Sequence, residues 1–297
     1  MRKKQILDQL KKSEFKKIKI SELNFFKRLF LYPSMFWHTI NCYFLRKLKL
    51  IKLVIAKTFW GKEMLVVIPE VVSSDIYRFG FIESDVAQAI IKNISKNDVV
   101  LDVGAHFGLF TLLMSELVGE QGEVHSFEPV PHTFSILKQN VKNKKSIILN
   151  LNAAWEDNKD LIINDYGLSS SAFNSLKGSR NNQIKNNKVT KYINIKAIKL
   201  DDYVKTKGIK PSFIKIDAES AEYEVLKGMN YILKEVKPII CLELGDLGVK
   251  GAYQSLSIVR YLINYGYKPF EFKNNRFVKH IIKKKYKYGN LIFKYNQ

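Results

Sequence analysis

An apolar run at residues 98–103 carries Asp102 near its end and opens into a loop holding Gly104 and Gly108. Residues of these types in this order build a nucleotide-cofactor pocket. Backbone N–H groups freed by the turn, with the N-terminus of the helix that follows, form a site for an anion or a carboxylate. Glycine has no side chain to hold the ligand away. A second expected strand, 123–128, ends on Glu128, twenty residues after Gly108. An acid there is placed to accept hydrogen bonds from a ribose diol, and one carboxylate can accept from both hydroxyls.

The spacing excludes two familiar nucleotide sites. A dinucleotide fingerprint needs Gly-x-Gly-x-x-Gly, and the middle glycine is absent between Gly104 and Gly108, where Ala105, His106 and Phe107 stand. A phosphate loop needs Lys followed by Ser or Thr after its last glycine, and Leu109 and Phe110 follow Gly108 instead. His106 is tolerable inside the turn because His is enriched among non-glycine residues with positive φ.

Alternating apolar runs and helical segments from about residue 64 predict the scaffold that would hold these residues, a mostly parallel sheet covered by helices on both faces. Strands are expected at 98–103, 123–128, 147–152, 212–217 and 238–244. Uninterrupted apolar pairs such as Phe213-Ile214 suit strands buried on both sides. Helices are expected at about 83–94, 108–118, 131–143, 220–234 and 252–265, the second with Leu109, Leu112, Leu113 and Leu117 on one face. Two further strands, at 266–272 and 290–295, follow each other through a lysine-rich connection without a helix, which predicts an antiparallel pair at the sheet end. Residues 168–190 are polar and aperiodic, the pattern of a mobile loop.

The remaining pattern, Asp-x-Gly-x-x-x-Gly, resembles the first motif of S-adenosylmethionine-dependent methyltransferases. Val-Leu-Asp-Val-Gly-Ala (100–105), Phe-Glu-Pro (127–129), Leu-Asp-Asp-Tyr (200–203), Phe-Ile-Lys-Ile-Asp-Ala-Glu-Ser-Ala-Glu (213–222), Glu-Val-Leu-Lys-Gly (224–228) and Cys-Leu-Glu-Leu (241–244) follow in order. Together they resemble the FkbM family of methyltransferases over roughly residues 83–245. The resemblance implies an α/β fold, a doubly wound, mostly parallel seven-stranded sheet of the methyltransferase (Rossmann-like) type with an antiparallel end strand. It implies S-adenosyl-L-methionine as cofactor and O-methylation of a hydroxyl on a sugar, polysaccharide, glycolipid or secondary metabolite. Asp102, Gly104 and Gly108 would then line the methionine half of the cofactor, with His106 a cofactor-binding residue inside the same turn; Glu128 would hold the ribose, and Asn152 and Ala153 would lie near the adenine.

A hydroxyl acceptor must lose its proton during attack, which asks for a base within reach. Asp217 is the first candidate and Glu219 the second, both at the carboxyl end of the fourth strand, where ligands bind in such sheets; His106 is a weaker third. Asp217 also has the reading of a carboxylate that binds cofactor or caps the next helix. The same carboxylates with Glu243 have the hard oxygens that Mg²⁺ prefers, but nothing in their spacing defines a cage, so no metal is expected. The chain departs from the family pattern at His106, where Asn is usual, and at Ser220, where Gly is usual. Ser220 demands either an ordinary φ or local strain.

The net charge of +21 sits on the ends of the chain. Residues 1–60 hold 15 Lys/Arg against 3 Asp/Glu, residues 268–297 hold 9 against 1, and the stretch between is nearly balanced. Basic ends flanking a neutral core point to an acidic partner surface, or to a merely solvated lysine-rich exterior. Leu29 to Leu45 lacks charged residues but is too short and polar for a transmembrane helix. Its aromatics suit a helix lying in a membrane interface, or else cover one side of the main domain. Residues 1–63 are thus expected as a basic, helical, aromatic-rich extension and 64–297 as the methyltransferase domain. The expected setting is cytoplasmic, with peripheral contact to an anionic membrane through 1–60 and a hydroxylated small molecule or glycan as acceptor.

Two lone cysteines, Cys42 and Cys241, exclude a cysteine metal site. Specific nucleic-acid binding is not expected. An RNA methyltransferase would use the basic ends on phosphates, but no Asn-Pro-Pro-Tyr type motif follows the fourth strand. A noncatalytic, membrane-associated protein that keeps the fold is the third reading.

Overall fold

The computed structural model describes residues 3–178, 189–246, 248–273 and 276–295. Three helices come first: α1 (Lys3–Ser21), α2 (Phe25–Leu31) and α3 (Pro33–Leu48). A hairpin of β1 (Lys52–Lys57) and β2 (Glu63–Ile68) follows, then α4 (Val71–Phe79) and α5 (Ser84–Asn93). The central run is β3 (Val99–Val103), α6 (Leu109–Val118), β4 (Glu123–Phe127), α7 (Pro131–Asn140), β5 (Ile147–Asn150), β6 (Ala153–Trp155), β7 (Lys159–Asp165) and β8 (Lys191–Lys199). The chain closes with α8 (Leu200–Lys207), β9 (Phe213–Ile216), α9 (Glu222–Lys227), β10 (Ile239–Leu244), α10 (Ser255–Asn264), β11 (Tyr267–Lys273), β12 (Arg276–Lys279) and β13 (Gly289–Tyr295).

The main sheet has the order β12-β11-β13-β10-β9-β3-β4-β5. Strands β10, β9, β3, β4 and β5 pair in parallel, while β13 lies antiparallel between β10 and β11. This is the expected doubly wound sheet with its antiparallel end. It holds eight strands rather than seven, because the connection after β11 turns back as β12 and pairs with it. The sheet reverses its winding between β3 and β9, and such a reversal opens a crevice at the carboxyl ends of the strands.

Burial explains the elements. All four residues of β9 are buried, and α6 is buried on nearly every side, as a helix without a polar face must be. One apolar cluster lies on the α6 side of the sheet and a second, with Leu226, Met229 and Val259, on the other. A smaller cluster sits under a separate three-stranded sheet, β6-β8-β7, that the sequence patterns did not predict. The N-terminal region is bound into this body: Ile6 and Leu10 of α1 belong to the main core, and the β1–β2 hairpin straddles the division expected at 63–64. Among the described residues no helix is long and apolar enough to cross a membrane.

Of the stretch 168–190 expected as a loop, Leu168–Phe173 forms a short 3-10 helix with Ser170 and Ser171 buried. Residues 179–188 lie outside the described residues.

Candidate active site

A cavity of about 910 Å³ opens at the carboxyl ends of β3, β4 and β9, beside the reversal of winding. Its wall is formed by the turn after β3, by Glu128, Asn152, Ala153 and Ala154, by Asp217 to Glu219, by Glu83 and α4, and by Ser171 to Asn174.

The turn is built by close approach. Gly104 has φ +76, and a Cβ there would lie 1.8 Å from the Asp217 carbonyl oxygen. Only glycine lets β3 and β9 pass so near each other. The N–H groups of Gly104 and Ala105 both donate to the Phe127 carbonyl at 3.0 Å. His106 takes the left-handed conformation, φ 50, as a His in such a turn can. Its backbone N–H donates to Glu128 Oε2 at 3.0 Å, and Val130 N–H donates to Glu128 Oε1 at 3.0 Å. Glu128 therefore clamps the turn after β3 to the end of β4. Each carboxylate oxygen accepts one of these bonds and keeps further acceptor capacity for a ligand. Burial pushes the Glu128 carboxyl up to about 7 against these two backbone bonds.

The His106 ring lies 3.9 Å from the Phe107 ring centroid, and its Nε2 is 2.8 Å from Ser171 Oγ. Burial pushes its pKa down to about 3, further than nearby Asp217 can offset. His106 is thus a neutral ring at physiological pH, held by its neighbours.

Two of the residues expected to line the cofactor, Asp102 and Gly108, lie behind the cavity wall. Strand β3 is paired on both edges and packed on both faces, so of its side chains only that of Val103, at its carboxyl end, reaches the crevice. The fully buried Asp102 carboxylate accepts from Thr111 Oγ1 at 2.6 Å, while its Oδ1 lies 3.7 Å from Lys215 Nζ. Burial raises its pKa, and Lys215 then opposes that. Gly108 starts α6 with φ +94, where a Cβ would meet Leu137 Cδ1 at 2.5 Å. Both residues shape the turn from beneath.

Lys215 comes from the middle of the fully buried β9. Its Nζ lies 3.3 Å from Asp217 Oδ2 and donates to the Gly104 carbonyl at 3.2 Å. Burial works against its charge, but Asp217 and Asp102 outweigh that and raise its pKa above the ordinary lysine value. Asp217 and Glu219 both reach the wall. Ser220 has φ 77, so the serine occupies a glycine-type conformation and the strained alternative holds. Glu222 stabilises this loop by accepting from the N–H groups of Ala218 and Ser220 at 3.1 and 3.0 Å.

Glu83 is the carboxylate that sequence reasoning missed. It lines the cavity with φ 41 and accepts from Tyr288 Oη at 2.7 Å. Burial, and then the charge of Asp217, push its pKa up to about 7. Lys215 and Ser171 were missed as well. A lysine inside an otherwise apolar strand was a readable signal for the first, whereas the second carries none. Asp217, Glu219 and Glu243 offer oxygens within 4.8 Å of one another. That arrangement could take a hard divalent cation, although Lys215 already stands against Asp217.

Residues 102–269 match the family model described as the methyltransferase FkbM domain. The chain is 31% identical over 162 residues to the hexuronic acid methyltransferase AglP of Haloferax volcanii, an alignment covering 53% of this chain and 61% of that protein. The chain thus spans less than two thirds of the length of this relative. Among solved structures, the methyltransferase FkbM of Methylobacillus flagellatus shares 15% identity at a TM-score of 0.44, over 68% of this chain and 44% of that one. The fibrillarin of Aeropyrum pernix, solved with S-adenosyl-L-methionine, shares 12% identity at a TM-score of 0.41, over 82% and 99%.

Proposed function

The chain belongs to the FkbM methyltransferase family, and from that membership we propose that it moves a methyl group from S-adenosylmethionine to a hydroxyl of a sugar. The observation that carries this reading is Glu128. A carboxylate clamped by two backbone N–H groups at the end of β4, with acceptor capacity left on both oxygens, suits a ribose diol. The rest of the wall fits the same cofactor. Ala153, Ala154, Ile163 and Leu176 give an apolar surface for a purine, and Glu83, Asp217 and Glu219 supply negative charge for a cationic ligand.

When bound, S-adenosylmethionine supplies a methyl carbon already made electrophilic by its sulfonium. The work left to the protein is alignment and proton removal. Gly104 and the neutral His106 shape the turn against the ligand, and Asn152 and Ala153 border the adenine side. Of the wall carboxylates, Glu83 is the proposed base. Its pKa of about 7 allows it to accept a proton near neutral pH, and the Tyr288 hydroxyl orients it. Asp217, the base expected from sequence, has one oxygen against Lys215; with Glu219 it is proposed to orient the acceptor hydroxyl.

AglP is a hexuronic acid methyltransferase, and a sugar of that class is the proposed acceptor. The experiment is transfer of label from methyl-labelled S-adenosylmethionine to uronic-acid and neutral oligosaccharides. Label on a sugar oxygen supports the reading. Cofactor binding with no transfer to any sugar hydroxyl contradicts it.

A further inference from the structure

Between Glu22 and Glu63 the chain contains eight Lys or Arg residues and no Asp or Glu. The same stretch presents large apolar side chains to solvent, among them Phe25, Phe26, Phe30, Trp37, Tyr43 and Phe44. They form a connected surface. Phe26 meets Phe25 at 5.6 Å between ring centroids, Phe25 of α2 meets Phe36 of α3 at 5.5 Å, and Phe36 meets Trp37 at 6.0 Å. On α3, Trp37, Phe44 and Leu48 recur at i, i+7 and i+11, which places them on one stripe of the helix. Packing on the protein uses another stripe: His38 stacks on Tyr77 at 4.7 Å, Cys42 lies 3.7 Å from Ser74 Oγ, and Arg46 donates to the Pro69 carbonyl at 2.9 Å. The aromatic stripe is therefore not the seam that joins α3 to the body.

We propose that α2 and α3 lie on an anionic phospholipid bilayer, with the aromatic side chains in the headgroup boundary and the basic residues against the lipid phosphates. Charge decides the occupant. Aromatic residues interleaved with cations suit an anionic interface, whereas two copies of this face would bring their uncompensated cations together. The α3 helix has 16 residues and two basic residues in its last turn, and no described helix is able to span a bilayer, so the face lies on the membrane rather than crossing it. The opposite side of α4 supplies Val71, Val72 and Ile76 to the cavity wall. A membrane on the aromatic stripe of α3 would thus be separated from the cavity by α3 and α4, two helix diameters or on the order of 20 Å. That the acceptor is a glycan carried at the membrane rests on the proposed function; the docking itself does not.

Trp37 makes the test direct. It is 64% exposed, whereas Trp60 and Trp155 are buried at 3% and 8%, so a change in tryptophan emission on adding vesicles reports the contact at Trp37. The full chain is mixed with phosphatidylcholine vesicles with and without phosphatidylglycerol, and emission and co-sedimentation are followed. The expected result is a blue shift and sedimentation with the anionic vesicles only, weakened by salt. Binding should fall at least about tenfold in Phe30→Glu/Phe44→Glu and also in Lys47→Glu/Lys49→Glu. All four positions are exposed, so cofactor affinity should be unchanged in both variants. No binding to anionic vesicles, equal binding to neutral ones, or a dimer in solution that Phe30→Glu/Phe44→Glu disperses would each overturn the proposal.

Discussion

Tyr288 and Glu83, 205 residues apart in the chain, meet at 2.7 Å, the phenol donating to Oε1 of a carboxylate on the cavity wall. The contact exists because β13 returns to pair with β10, carrying the turn before it back over the start of α5. It holds a carboxyl group in a protein environment that favours its protonated form.

The first prediction concerns pH. A base works only when deprotonated, and the Glu83 pKa is pushed up to about 7, so the rate of methyl transfer should rise with pH through about 7. The Tyr288 bond favours the charged form; in Tyr288→Phe the rising limb should move to higher pH. Glu83→Gln should remove the limb and lower kcat by about 10²–10⁴-fold. Steady-state rates from pH 5 to 9 check this, and an unchanged profile in Glu83→Gln would assign the proton to another group.

Gly104→Ala should abolish cofactor binding and lower Tm. The new Cβ would sit 1.8 Å from the Asp217 carbonyl with φ at +76, so β3 and β9 must separate or the turn must refold. Thermal melts and calorimetry on the variant give the answer.

His106 should act as a neutral positioning residue. With its pKa near 3, it does not change charge between pH 5 and 8. His106→Asn keeps a residue that tolerates positive φ and should retain cofactor affinity within about threefold, with the same pH dependence as the parent. A titration limb that disappears in His106→Asn would show that the ring takes part in proton transfer.

The legible and illegible parts of this molecule differ in their physics. Strands β3, β9 and β10 were readable because burial on both faces leaves runs that are apolar but for one residue each, Asp102, Lys215 and Glu243. The three-stranded sheet was not. In β8 the inward Ile195 and Ala197 alternate with Asn194 and Lys196, a pattern that looks polar until its partner strands are known. The clamp residue Glu128 was legible because the strand end and the acid lie together in sequence. The pairing of Glu83 with Tyr288 had no local signal, since only the sheet order brings the two together. Asp102 shows the opposite limit: the motif singled it out, but its burial against Thr111 and Lys215 depended on the packing of β3 between two neighbours.

Methyl transfer should survive treatment with EDTA. Lys215 Nζ stands 3.3 Å from Asp217 Oδ2, so a positive charge is already built into the place where a cation would neutralise that carboxylate. Loss of activity in EDTA, restored by Mg²⁺, would instead put a cation on Asp217, Glu219 and Glu243.

The most direct test of the central claim is calorimetric titration of the full chain and of Glu128→Ala with S-adenosylmethionine. The account predicts one site per chain in the parent and loss of at least about a hundredfold in affinity in the variant, because a clamped, largely desolvated acceptor is removed. Equal affinity in the two proteins, or no binding by the parent, would contradict it.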